Sequence, residues 1–152
     1  MIAVGRQKGG PEASLVADYL SRFDATGRAL GLGPARVIEV EDKKRRGAAA
    51  EGELLLTAAP EGAVLIGLDE RGKPMDSRAF AALLADQRDQ GRRDIAFLIG
   101  GADGHQADLR GRCDRLLSFG AMVWPHMLAR VMLTEQLYRG ASILAGTPYH
   151  RD

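Results

Sequence analysis

Two nearly unbroken apolar runs, residues 63–68 and 94–99, constrain this chain more than any other feature. A strand without alternating apolar and polar residues has two faces to bury, and such strands belong inside parallel sheets. Strand-like and helix-like segments alternate on either side of them. Residues 1–4 read as a short apolar strand stopped by Gly5. Residues 11–23 carry Leu15, Val16, Tyr19, Leu20 and Phe23 at one-face helical spacing, with Pro11 suited to a first turn. A second strand is predicted over 35–41, and an Ala/Leu/Glu helix over 48–59 that Pro60 stops. Residues 69–74, following the first apolar run, are polar with Gly72 and Pro74 and read as a loop.

Asp76 or Ser77 can cap the next helix, which places Phe80, Leu83, Leu84 and Gln87 along one side and closes at Gly91. A short helical piece over 106–112, a last strand over 116–119 and a helix from Pro125-His126 to near 144 complete the pattern. Such alternation predicts one α/β domain over residues 1–152, with a mainly parallel sheet and helices on both faces.

The charges nearly cancel, 21 Lys plus Arg against 20 Asp plus Glu. A protein that merely coats nucleic acid is usually far more basic, so any phosphate contacts must come from local clusters. Lys43-Lys44-Arg45-Arg46 is the densest of these. Cys113 is the only cysteine, which excludes an intrachain disulfide and a cysteine-rich metal site. His105, His126 and His150 lack paired ligand spacing, so no metal is expected. With no secretory signal pattern and no apolar stretch near the roughly 20 residues of a membrane span, a cytoplasmic location is expected.

Ligands of open parallel sheets bind outside the carboxyl ends of the strands. Three such ends are rich in glycine or in free backbone amides: Leu68 with residues 69–74, Gly100-Gly101-Ala102-Asp103-Gly104, and Phe119 through Trp124. Two readings fit them, tight turns that need glycine or a backbone cradle for a nucleotide-like ligand. The Gly100 loop is neither a dinucleotide fingerprint nor a P-loop, since it follows a late strand and no Lys-Ser or Lys-Thr comes after it. A ligand with an adenosine portion but no phosphates suits it better. Near the end, Arg130, Glu135, Gln136, Tyr138 and Arg139 share a helix, and the tail reads Thr147-Pro148-Tyr149-His150-Arg151-Asp152. An aromatic ring, an imidazole and a guanidinium in succession can stack on a base and contact phosphate; a frayed polar tail is the plain alternative.

Across nearly the whole chain these motifs resemble the RlmH family of SPOUT-class methyltransferases. The resemblance rests on Ala3-Val4-Gly5, Leu68-Asp69 with Gly72-Lys73-Pro74, and Leu98-Ile99-Gly100-Gly101 with Gly104. Pro125-His126, Glu135 through Arg139, and Pro148 through Arg151 complete it. It implies methylation of N3 of a pseudouridine in helix 69 of 23S ribosomal RNA within the ribosome, with S-adenosylmethionine as cofactor. It also implies a C-terminal trefoil knot, one of the rare exceptions to unknotted chain connection, and a homodimer whose partner helps complete the site. The implied cofactor-binding residues are Leu68, Gly100, Gly101, Phe119, Gly120, Ala121, Met122, Val123 and Trp124. His150, Arg139 and His126 are the catalytic candidates, the histidines as proton acceptors and Arg139 or Arg151 stabilising charge on the uracil oxygens. Tyr149, Arg151, Lys43 and Arg45 are candidate RNA contacts. Ala102-Asp103, Phe119 and Trp124 depart from the family's usual residues. A ribosome-binding module without activity and a flavodoxin-like nucleotide binder are the alternatives.

Overall fold

The computed structural model describes residues 1–151; Asp152, which the sequence places in the tail, lies outside the described residues. The chain divides into two compact units, each assembled from separate stretches of sequence. The first comprises Met1–Gln7, Val37–Pro74 and Arg93–His126, and the second comprises Lys8–Arg36, Met75–Arg92 and the chain from Met127 onward.

The first unit holds all five strands: β1 (Ile2–Val4), β2 (Ile38–Val40), β3 (Val64–Pro74), β4 (Ile95–Ile99) and β5 (Arg115–Ser118). They form one sheet in the order β2-β1-β4-β3-β5, and every pairing is parallel. The two apolar runs are the neighbouring inner strands β3 and β4, as their lack of alternation requires. Helices α1 (Pro11–Gly27), α2 (Ala48–Ala58), α3 (Ser77–Asp89), α4 (Ala107–Arg112) and α5 (His126–Leu144) follow the strands in the expected alternation. Ile2, Val4, Ala96 and Leu98 of the sheet form one buried cluster with Leu55 of α2 and Leu109 of α4. Each fully buried aliphatic side chain of this kind contributes about 1.5–3 kcal/mol relative to exposure.

The helix expected over 11–23 runs on to Gly27, and two strands differ from expectation by more than one residue. The strand expected over 35–41 shrinks to Ile38–Val40, because its only partner, β1, offers three residues. The loop expected over 69–74 is strand: β3 runs on to Pro74. Backbone pairing overrides the polar, glycine- and proline-containing sequence there. Leu117 of β5 pairs with Leu68 and also with Lys73, and Ser118 pairs with Pro74. β3 thus meets β5 a second time, after a register shift between Leu68 and Lys73. The proline, which cannot donate to a ladder, sits at the strand's last position.

The second passage of β3 is close. A Cβ on Gly72 would lie 2.6 Å from the Leu117 carbonyl carbon and 2.7 Å from the Leu116 carbonyl carbon. Only glycine lets the two backbones approach this far.

The second unit is helical. Phe80, Leu83, Leu84 and Gln87 of α3 are buried as expected, and so are Val16 and Phe23 of α1, whereas Leu15 faces solvent. Asp76 caps α3, its carboxylate accepting from the Ala79 amide at 2.7 Å. Gly140 of α5 packs against α3, where an added Cβ would meet Leu84 at 3.2 Å. Arg130 of α5 is wholly buried.

Candidate functional site

Strand register brings the three ligand-competent segments into one row of the first unit. Leu68 pairs with Ile99 of β4 on one side and with Leu117 of β5 on the other. Because all strands run the same way, Gly100 and Ser118 leave the same edge of the sheet, directly beside Leu68. Gly104 donates to the Gly101 carbonyl at 3.1 Å and closes the glycine turn. The other turn is closed by Ser118, whose hydroxyl donates to the Gly120 carbonyl at 3.0 Å and accepts from the Gly120 amide at 3.1 Å. Gly120 has φ 109°, a backbone region that glycine tolerates best.

Exposure is graded along this frame. Gly100 is buried, Leu68, Gly101, Phe119 and Gly120 are half-buried, and Ala121 to Trp124 are exposed. Met122 and Val123 are 71% and 81% exposed, unusual for apolar side chains with nothing to pack on.

Two side chains that sequence reasoning left aside support the glycine turn. Glu51 of α2 lies against Gly101, its Oε2 2.8 Å from the position a Cβ would take. Burial raises its pKa, with the negative charges of Asp103 and Asp42 adding to the effect and a hydrogen bond from the Gly101 backbone opposing it. His105 sits beneath the turn, 4% exposed, with Nε2 3.1 Å from the Leu98 carbonyl. Neither position carries a sequence signal, since glutamate in a helix and a histidine after a glycine loop are ordinary.

Lys43, Lys44 and Arg45 are exposed on a loop that Asp42 organises. The Asp42 carboxylate accepts from the Lys44 amide at 3.3 Å, from the Gly47 amide at 3.1 Å and from the Arg46 amide. Arg46 also turns its guanidinium back onto Asp42, at 3.3 Å. Lys43 and Arg45 thus point outward from a braced loop.

The second unit brings together a different set. Glu135 of α5 accepts from Arg139 at 2.5 and 2.9 Å and from the Tyr149 hydroxyl at 2.9 Å. The Arg139 guanidinium stands over the Tyr149 ring at 4.8 Å, and that ring leans on Tyr138 with centroids 4.4 Å apart. Tyr138 in turn faces Tyr19 and the Arg22 guanidinium. All three tyrosines of the chain meet here, and the tail is held rather than frayed. Burial and the Glu135 carboxylate raise the Tyr149 pKa, so the phenol remains a donor.

Arg139 Nη1 lies 3.3 Å from His150 Nδ1. A guanidinium only donates, so Nδ1 accepts and the neutral ring carries its proton on Nε2. His126 opens α5, half-buried, and Arg151 is exposed. Among the described residues, no group of three or more His, Cys, Asp or Glu is arranged to hold a metal ion, and no helix is long and apolar enough to cross a membrane.

Comparison with known proteins decides the family. A family model described as "Predicted SPOUT methyltransferase" matches residues 1–150. The chain belongs to the SPOUT methyltransferases, in the RlmH family. It is 66% identical over 151 residues to the ribosomal RNA large subunit methyltransferase H of Dinoroseobacter shibae, covering 99% of this chain and 97% of that protein. It is 65% identical over 151 residues to the namesake in Ruegeria pomeroyi, with the same coverage. The protein of that name in Roseobacter denitrificans is 61% identical over 152 residues, covering 100% of this chain and 97% of its own length. The segments quoted for the SPOUT resemblance include both flanks of the β3–β5 double pairing and both ends of the tail cluster.

Proposed function

We propose that the chain is an S-adenosylmethionine-dependent methyltransferase of large-subunit ribosomal RNA in the cytoplasm. Its target in this reading is N3 of a pseudouridine in helix 69 of 23S rRNA, met on the assembled ribosome. The observation that carries the reading is the row of Leu68, Gly100 and the Ser118–Gly120 turn at one edge of the sheet, in a chain of this family. The row fits the cofactor: its two turns offer backbone groups, and a Cβ at Gly100 would run into the Gly104 backbone at 3.1 Å, so the turn keeps its close shape only with glycine there. Leu68, Gly100, Gly101 and Phe119 through Trp124 would hold it. The double pairing of β5 supports a trefoil knot here, and the exposed Met122-Val123-Trp124 run supports a homodimer.

The cofactor supplies an electrophilic methyl group on a sulfonium. Everything else falls to the chain. Orienting the base in line with that methyl is the largest contribution available, on the order of 7–11 kcal/mol for well-placed reactants. The imide N–H must lose its proton as the new N–C bond forms, and negative charge then spreads onto the flanking uracil oxygens. In this reading Arg139 and the Nε2–H of His150 stabilise that charge. With Nδ1 of His150 engaged by Arg139, His126 is the remaining candidate to accept the proton. Arg151, with Lys43 and Arg45, contacts the RNA, while Tyr149, the sequence's candidate for stacking on it, holds the tail to Glu135.

Truncation before Tyr149 tests the roles of the tail. Calorimetry should show S-adenosylmethionine binding retained, while methylation of ribosomes carrying the pseudouridine falls by at least 10²-fold. Unchanged transfer would remove the tail from the chemistry. A full-length protein that binds no cofactor at near-millimolar concentration would instead be a ribosome-binding module.

A further inference from the structure

His105 takes no part in the proposed reaction, yet it lies at the centre of the first unit's ligand edge. Its ring occupies space that two glycines leave open. A Cβ on Gly67 of β3 would lie 3.7 Å from the His105 Cδ2, and one on Gly100 would lie 3.1 Å from Nδ1. The ring therefore wedges between the end of β3 and the end of β4, under the residues on either side of the cofactor row.

Its contacts tie those two strand ends together. The Leu98 carbonyl of β4 can only accept, so at 3.1 Å the ring nitrogen Nε2 must carry the proton. The backbone carbonyl of His105 accepts from Arg110 Nη1, and that guanidinium lies 3.9 Å from the nearly buried Asp69 carboxylate. Asp69 follows Leu68 directly. A continuous chain of contacts thus runs from Leu98 through the ring and backbone of His105 to Arg110, Asp69 and Leu68. Nδ1, buried and without a hydrogen-bond partner, faces Gly100. Burial lowers the imidazole pKa, partly offset by the Leu98 backbone, the Asp69 charge and, least, the Leu68 backbone, while the Arg110 charge adds to the lowering. The ring is thereby a neutral single donor.

We propose that His105 is the positioning residue of the cofactor frame, fixing the spacing of Leu68 and Gly100 through its Nε2–H bond to Leu98 and its backbone link to Arg110 and Asp69. The inference rests on the reading of that frame as an S-adenosylmethionine site. It touches no ligand itself. Losing the bond should leave the frame folded but unevenly spaced, so the effect should fall on cofactor affinity and not on transfer from bound cofactor.

The test uses three substitutions in the full-length protein, with S-adenosylmethionine as the probe in calorimetry and ribosomes as substrate. His105→Leu keeps volume and removes the donor. It should weaken the cofactor Kd and KM about tenfold while kcat at saturating cofactor stays within about twofold. His105→Gln places an amide donor where Nε2 stands and should restore the Kd to within about threefold of the unsubstituted protein. His105→Asn puts its amide in the place of Nδ1, short of Leu98, and should behave like His105→Leu; it serves if the leucine variant does not fold. Equal weakening by Gln, Asn and Leu would reduce His105 to packing and overturn the proposal, as would wild-type affinity in His105→Leu or a fall in kcat without a change in KM. An unsubstituted protein that binds no cofactor would sink the underlying reading along with it, a result distinguishable from the others.

Discussion

The two regions that carry the proposed chemistry are built in opposite ways. The cofactor frame of the first unit is made of backbone: parallel strands in register, glycines where no Cβ fits, and turns closed by main-chain and serine bonds. The tail cluster of the second unit is made of side chains, with Glu135 accepting from Arg139, Tyr149 and Gln136 and three tyrosines leaning on one another. A frame of backbone tolerates changes of side chain but not of backbone spacing. A cluster of side chains should fail gradually, one contact at a time, while the fold stands.

The largest expected effect follows from the first half of that contrast. Gly72→Ala adds a single methyl, but it lands 2.6–2.7 Å from backbone atoms of β5, which cannot swing away as a side chain can. Overpacking of this kind costs about 3 kcal/mol or more, at the severe end for a single substitution. Thermal unfolding should show the loss directly, or the protein should fail to accumulate in soluble form. A variant that melts within a few degrees of the parent would mean that Gly72 does not lie this close to the β5 backbone.

The same contrast explains what could be read from the sequence. Strand ends and glycine turns were legible because backbone requirements select residue types: unbroken apolar runs for β3 and β4, glycine at Gly100, Gly101 and Gly120. The extension of β3 through Pro74 was not, because pairing between backbones leaves no apolar pattern in a polar segment. Arg139, Tyr149 and His150 stood out as a suspicious composition, but their arrangement did not. Nothing in the spacing says that Glu135 collects both the arginine and the phenol, or that Arg139 claims the Nδ1 of His150. His105 illustrates the limit most sharply. As a residue type it suggested only a metal ligand without companions, while its position between Gly67 and Gly100 is a fact of three dimensions.

Glu135→Ala addresses the second half. It removes the common acceptor of Arg139 and Tyr149 at once, and misplacement of catalytic groups by about 1 Å can cost 10²-fold in rate. Transfer to ribosomes should fall by roughly that factor, with cofactor affinity unchanged and the melting temperature lowered by only a few degrees. Loss of cofactor binding in this variant would show that the tail cluster and the frame are not energetically separate.

A smaller effect distinguishes the regions by pH. Burial depresses the His105 pKa below the unfolded value near 6.5. As pH falls through that value the unfolded chain takes up a proton that the folded chain resists, so this contribution to stability is present above about 6.5 and is lost towards lower pH. The slope cannot exceed about 1.4 kcal/mol per pH unit for one proton. Unfolding measured from pH 7.5 to 5.5 should therefore fall more steeply for the parent than for His105→Gln, with Asp69 and Arg110 present in both. Parallel curves would place a charged or solvated imidazole at this position.

The mildest change is the most discriminating. Tyr149→Phe deletes one hydroxyl, keeps the ring against Tyr138 and Arg139, and leaves Glu135 paired with Arg139. If Tyr149 acts by anchoring the tail to Glu135, losing that bond should slow transfer by about 3–10-fold, the range expected for a half-exposed hydrogen bond to a carboxylate. If its work is to stack on the substrate base, phenylalanine should be as good as tyrosine and only Tyr149→Ala should lose activity. The ring is already occupied on one side by Tyr138 and covered by Arg139, so anchoring is the outcome that fits its contacts. Full activity in Tyr149→Phe together with a large loss in Tyr149→Ala would reverse that conclusion and return Tyr149 to the role that sequence alone suggests.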